Sequence, residues 1–237
     1  MQRVVPQDEG ALLAVEATRR GSWPVGPLRM VATADGGKID GTHLGTHTAQ
    51  EFWTRPRTTN ANWGVFFSLE TKDQDVWVTG LRCGGHSFAS VGELTRLSLE
   101  CYTKDGAVEG AETDKSQWTN VASLKELTIP KVQVGDSKAV YTYVPFKDPV
   151  HVKAKTIQSF CLHTDKKTGL VVRRKINFGG DKPDPYFAEW ADGVTDEGAH
   201  FKIRAGRCPG EKLFVDVGSE ANARAFVGVV DYALQAP

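Results

Sequence analysis

The sequence predicts an all-β protein: one antiparallel β-sandwich or jelly-roll-like domain of about ten strands behind an irregular N-terminal arm. Three observations predict it. Short runs rich in β-branched and aromatic residues recur along the chain, separated by Gly, Asp, Lys and Pro turns. No long helical pattern falls between them, which disfavours a parallel α/β fold. Leu94 to Tyr102 alternates, with Leu97, Leu99 and Cys101 facing one way and Arg96, Ser98 and Glu100 the other. That period marks a strand with one buried face.

The elements follow in order. Residues 1–40 read as an arm, because they hold too few large apolar residues for a core. A short helix fits Gln7 to Arg19, and Gly21, Pro24, Gly26 and Pro27 then break regular structure. The domain spans 41–237. Val65–Leu69 and Val76–Leu81 read as strands around the turn Lys72–Asp75, and Lys104-Asp105-Gly106 closes the alternating strand. Further strands are expected at Trp118–Leu124, Leu127–Val134, Lys138–Phe146 and Ile157–His163, the last with Gln158, Phe160 and Leu162 on one face. Asp165–Gly169 reads as a hairpin turn into Leu170–Ile176, and Phe201–Ala205 and Ala225–Ala233 close the chain.

Composition narrows the function. The chain has 237 residues, 29 basic and 29 acidic, with a formal net charge of zero. A chain of this length buries roughly 70–75% of its unfolded surface and needs neither metal nor disulfide for a core. Neutrality gives no footprint for nucleic acid or anionic membrane, and no apolar run is long enough to span a bilayer. Met1 to Arg20 carries Asp8, Glu9 and Glu16 and reads as no secretory signal, which favours an intracellular or organellar setting over secretion. Cys83, Cys101, Cys161 and Cys208 form no CxxC pair. They read as free thiols packed in strands, with a Cys83–Cys101 disulfide as the other arrangement.

One ordered set of motifs goes further. Asn62-Trp63-Gly64-Val65-Phe66-Phe67 leads to Val76–Leu81, then Leu99-Glu100-Cys101-Tyr102-Thr103-Lys104-Asp105-Gly106 and Ser116-Gln117-Trp118-Thr119-Asn120-Val121-Ala122. Gln158–Leu162 and Ala223–Tyr232 complete the set. Together they resemble a β-sandwich repeat of diatoms, other algae, oomycetes and some bacteria. The resemblance covers roughly residues 50–233. It implies a non-catalytic module, often in tandem on cell-surface or wall-associated proteins, and carries no set of functional residues. Cys101 and Cys161 stand where that family has small polar residues, and an insertion runs from Thr164 to Tyr186. These departures suggest a specialised member.

Constellations that could carry chemistry read blandly. His43 and His47 in the Gly-Thr-His repeat sit among glycines and threonines, which favour a loop over a metal-bearing helix. Cys83-Gly84-Gly85-His86 lacks the third group that would orient a base against a nucleophile. No Gly-x-Ser-x-Gly elbow or phosphate-cradling glycine motif occurs. The carboxylates Asp181, Asp184, Glu189, Asp192, Asp196 and Glu197 suit a solvated loop better than a calcium site or a glycosidase pair. No cofactor is expected.

Contact residues are more specific. Trp63, Trp77 and Trp118 lie in or beside strands and read as core. Trp23, Trp53 and Trp190 lie in Pro-, Arg- or Asp-flanked segments, where they could anchor an interface or stack on sugar rings; Trp53 is joined by Arg55 and Arg57. The run Lys166, Lys167, Arg173, Arg174 reads first as a hairpin with charged edges. It also complements the acidic segment holding Asp181, Asp184 and Asp192, as contact with a neighbouring copy requires. The expectation is a non-enzymatic structural or assembly module that associates with itself or other subunits, in a coat or lattice such as an algal pyrenoid-type shell. A carbohydrate-binding module is the principal alternative, and a jelly-roll hydrolase or lyase a weaker one.

Overall fold

A computed structural model describes residues 49–55, 60–132, 139–174, 192–218 and 223–237. The arm expected over 1–40 and its helix lie outside them. In chain order the strands are β1 (Gln50–Trp53), β2 (Asn60–Asn62), β3 (Gly64–Thr71), β4 (Val76–Cys83), β5 (Gly85–His86), β6 (Leu97–Asp105), β7 (Thr119–Leu127) and β8 (Lys131–Val132). They continue with β9 (Thr142–Val152), β10 (Ile157–Thr164), β11 (Leu170–Arg174), β12 (Val194–Glu197), β13 (Phe201–Arg204), β14 (Arg224–Phe226) and β15 (Gly228–Ala233).

A four-stranded sheet has the order β1-β15-β4-β9 and a six-stranded sheet the order β12-β13-β3-β10-β6-β7. The strands β14-β11-β2 form a smaller sheet, and β5-β8 is the one parallel pair among the described residues. The protein is all-β; among the described residues its sheets are otherwise antiparallel and no barrel closes. Strands exceed the expected ten because β2, β5, β8, β12 and β14 are two to four residues long. Such pieces are too short to show a period.

The main core lies between the two larger sheets. Val78 and Leu81 of β4, Val144 of β9 and Val230 of β15 pack with Phe67, Phe160, Leu99 and Ile203 of the six-stranded sheet. Phe67 stacks on Phe160 at 5.6 Å and on Phe226 at 4.5 Å between ring centroids. Truncating one of these rings to Ala costs about 3–5 kcal/mol. The outer face of the six-stranded sheet carries a second cluster of Phe66, Tyr102, Trp118, Cys161 and Phe214. Strands β3 and β10 are therefore covered on both faces, which is why their sequences run apolar with little alternation.

Several local expectations change. Asp165–Gly169 is a turn but not a hairpin: β11 pairs with β14 and β2. The reason is steric, since β10 already has β3 on one edge and β6 on the other. The two strands expected at 118–134 are one strand, β7, followed by the two-residue β8. Pro130, which cannot donate to a ladder, stands between them. Strand β9 starts later and runs through Pro145 and Pro149, a course open to it as the edge strand of its sheet. Cys83, Cys101, Cys161 and Cys208 are all free and buried, without the Cys83–Cys101 bond.

Candidate binding face of the four-stranded sheet

Alternation along β1, β15, β4 and β9 fixes which side chains leave the core. Phe52, Val230, Leu81 and Val144 form one inward row across the sheet. The neighbouring row, Trp53–Val229–Arg82–Tyr143, therefore faces outward. Trp53 is 50% exposed and Tyr143 46%. Three strand spacings separate them, about 14 Å. The row beyond the core row, Glu51–Asp231–Gly80–Pro145, returns to the outer face.

Arg82 ties these rows together. Its Nε donates to Asp231 Oδ2 at 2.9 Å, and its Nη2 to Asp231 Oδ1 at 2.5 Å and to Glu51 Oε1. Its guanidinium lies 5.8 Å from the Tyr143 ring centroid. Glu51 in turn accepts from Trp53 Nε1 at 2.9 Å. Burial pushes the Asp231 carboxyl up, and the Arg82 hydrogen bond and charge oppose it. The Tyr143 ring lies over Gly80, where an added Cβ would meet Cε2 at 2.6 Å. Trp53 also packs on Tyr141 at 5.7 Å, and Trp77 stacks on His151 at 4.4 Å and 8°. His151 Nε2 donates to Asp75 Oδ2 at 2.7 Å. The face thus sets the rings of Trp53, Tyr141 and Tyr143 beside a carboxylate–guanidinium network, with the Trp77–His151 stack further along the same sheet.

Only part of this array matches the residues singled out from sequence. Trp53 lies on the face. Arg55 is half-buried beside it, its backbone N–H bonded to Asp196 Oδ1 at 3.1 Å. Trp23, Arg57, Asp181, Asp184 and Trp190 lie outside the described residues, as do His43 and His47. Lys166 and Lys167 are exposed on the turn after β10. Arg173 does not edge a hairpin: it is buried, its Nη2 donating to Asp196 Oδ2 and to the Thr195 carbonyl, each at 2.8 Å. Complementarity between the basic run and the acidic segment is thus partly satisfied within one chain. Arg174 is half-buried opposite Arg224, and Asp192 is exposed on a turn, its carbonyl accepting from Arg204 Nη1 at 2.6 Å.

Of the tryptophans expected in the core, Trp118 is buried, whereas Trp77 lies on the outer face and Trp63 is half-buried. Glu51 belongs to the segment Glu51 to Arg57 that the sequence marks for contacts, whereas sequence reasoning missed Arg82, Asp231 and Tyr143. Tyr141 and Tyr143, two apart in the stretch that reads as a strand from Lys138 to Phe146, were the available signal. Cys83 is buried and its thiol pushed up to about 12, so it is protonated at neutral pH and a poor nucleophile. Among the described residues, no three or more His, Cys, Asp or Glu side chains converge to hold a metal ion. No helix among them is long and apolar enough to cross a membrane. No protein-family model matches the chain, and no curated protein matches it.

Proposed function

We propose that the protein is a non-enzymatic association module, a structural subunit that docks on copies of itself or on other subunits through the outer face of β1-β15-β4-β9. One observation carries this reading: a single row presents Trp53, Arg82 and Tyr143. Trp, Arg and Tyr are the residue types enriched at interface hot spots. Arg82 is already held by Asp231 and Glu51, so docking orders little that is not ordered beforehand. Strand addition at the β9 edge is blocked by Pro145, Pro149 and the exposed Lys147 and Asp148. On the face itself the outward side chains of β15, Val229, Asp231 and Ala233, are buried, so Trp53, Tyr143 and part of Arg82 are what it presents to a partner. The motif order resembling algal β-sandwich modules, which implies a non-catalytic module, supports the same reading; a coat or lattice such as a pyrenoid-type shell is the setting we propose for it.

Sedimentation velocity across two decades of protein concentration, at low and high salt, tests the reading. Species larger than a monomer that collapse in Trp53→Ala/Tyr143→Ala support it. A monomer at every concentration overturns self-association. A second reading rests on the same rings: exposed aromatics beside Glu51 and Asp231 suit a glycan chain. Retention on polysaccharide that Trp53→Ala abolishes, by a protein that stays monomeric, favours that reading instead.

A further inference from the structure

The outer face of the six-stranded sheet holds a cleft of about 380 Å³, on a different sheet from the row described above. Its floor is set by register. Gly64 of β3, His163 of β10 and Glu100 of β6 are direct cross-strand partners. One wall is the segment 208–218, which crosses the sheet and is closed by Gly210 N–H to the Asp216 carbonyl at 2.7 Å and Gly218 N–H to the Cys208 carbonyl at 3.0 Å. Its anchor is Phe214, buried against Phe66, Tyr102 and Trp118 although its φ is +64°. A bulky residue is held in that region only by its surroundings. Gly64 permits the close approach, since a Cβ there would meet Pro209 Cγ at 2.7 Å.

The polar groups of the cleft are arranged but only partly used. His163 Nε2 lies 3.1 Å from the Gly210 carbonyl, which can only accept, so Nε2 carries the proton. Burial lowers the imidazole from its ordinary value, so it is neutral at neutral pH and Nδ1 is an acceptor. Glu100 accepts from Tyr102 O–H at 3.1 Å through Oε2, and Asp165 accepts from the Ser98 N–H at 3.1 Å through Oδ1. Among the described residues, no hydrogen bond engages the other oxygen of either carboxylate, the Glu211 carboxylate, the Lys212 ammonium or Trp63 Nε1.

We infer that this cleft is a binding site for a small polyhydroxylated ligand of the sugar class, stacked on Trp63 and held by hydroxyl hydrogen bonds to Glu100, Asp165 and Glu211. The volume lies in the range of small-molecule sites. An aromatic wall beside several acceptors and one cationic donor matches a ligand with an apolar ring face and a rim of hydroxyls. A metal ion fits worse, because these side chains do not converge and Lys212 shares the lining.

The test titrates the full-length protein with glucose, mannose, xylose and cellobiose, followed by the Trp63 indole and Gly64 amide NMR signals and by calorimetry. Calcium chloride alone and spermine alone are run in parallel. Saturable binding of one sugar is expected. Glu100→Gln and the exposed-site variant Glu211→Gln each weaken it about tenfold, one charged hydrogen bond. Trp63→Ala abolishes it, and Trp53→Ala on the opposite sheet leaves it unchanged. Absence of saturable shifts with all four sugars overturns the inference. So does binding that ignores the Glu100, Glu211 and Trp63 changes, and so does saturation by calcium or spermine alone. None of these outcomes depends on whether the protein self-associates.

Discussion

Arg82 and Asp231, on adjacent strands of the four-stranded sheet, form a two-point contact, Nε to Oδ2 and Nη2 to Oδ1, against the exposed Tyr143 ring and joined to Trp53 through Glu51. The carboxylate is mostly buried and the guanidinium about a quarter exposed. Removing the cation leaves Asp231 a buried acceptor with a partner lost. Arg82→Ala should cost about 1–3 kcal/mol in urea unfolding and abolish association. Arg82→Met with Asp231→Leu should restore most of the stability but not the association, because the network that orders the face is gone.

Gly80 tests the face without touching its charges. A Cβ there meets the Tyr143 ring at 2.6 Å and the Val144 carbonyl at 2.8 Å. The ring is at the surface and can swing away, whereas the carbonyl belongs to the ladder. Gly80→Ala should displace Tyr143, lower its protection from chemical iodination, and weaken association. Unchanged iodination and sedimentation would show that the ring does not rest on Gly80.

The Arg173–Asp196 pair is nearly solvent-free, with side-chain exposures of 7% and 4%. Breaking such a pair on one side costs about 3–5 kcal/mol, mostly from the charge left behind. Arg173→Ala should therefore lower the urea midpoint far more than Lys166→Ala or Lys167→Ala, which sit on an exposed turn. Equal effects would mean that Arg173 is not buried.

Asp75 carries the acid-side prediction. The Ala154 N–H at 2.8 Å and the His151 ring at 2.7 Å hold its carboxyl below the ordinary value, the backbone bond first. A depressed carboxyl stabilises the fold above its unfolded value, near pH 4, and that contribution is lost as pH falls through the lower folded value. Asp75→Asn should flatten the dependence of the thermal midpoint on pH below about 4, and an unchanged acid limb would show that the Asp75 contacts are not held in solution.

The cysteines give a chemical check on the core. Burial pushes the Cys83 and Cys208 thiols up to about 12, and Cys101 and Cys161 are also raised by burial. All four should resist a thiol reagent in native buffer and react fully in denaturant. Rapid labelling of a native thiol would contradict the packing.

Strand period and turn residues made the sandwich legible, because one buried face imposes alternation on a chain regardless of its partners. Leu97, Leu99 and Cys101 are buried as that rule requires. The rule is silent on which strands pair. Lys166 to Arg174 has the look of a charged hairpin arm, yet β10 has no free edge, so β11 joins another sheet and Arg173 meets Asp196. Trp77 has a core residue's sequence context, yet its strand turns it outward onto His151. Local pattern thus determined the elements and their inner faces. Only the tertiary structure decided that Trp53, Arg82 and Tyr143 share one row, and that His163 and Glu100 share another. Such rows join residues tens to hundreds of positions apart, and they are set by which edges remain free once the first strands have paired.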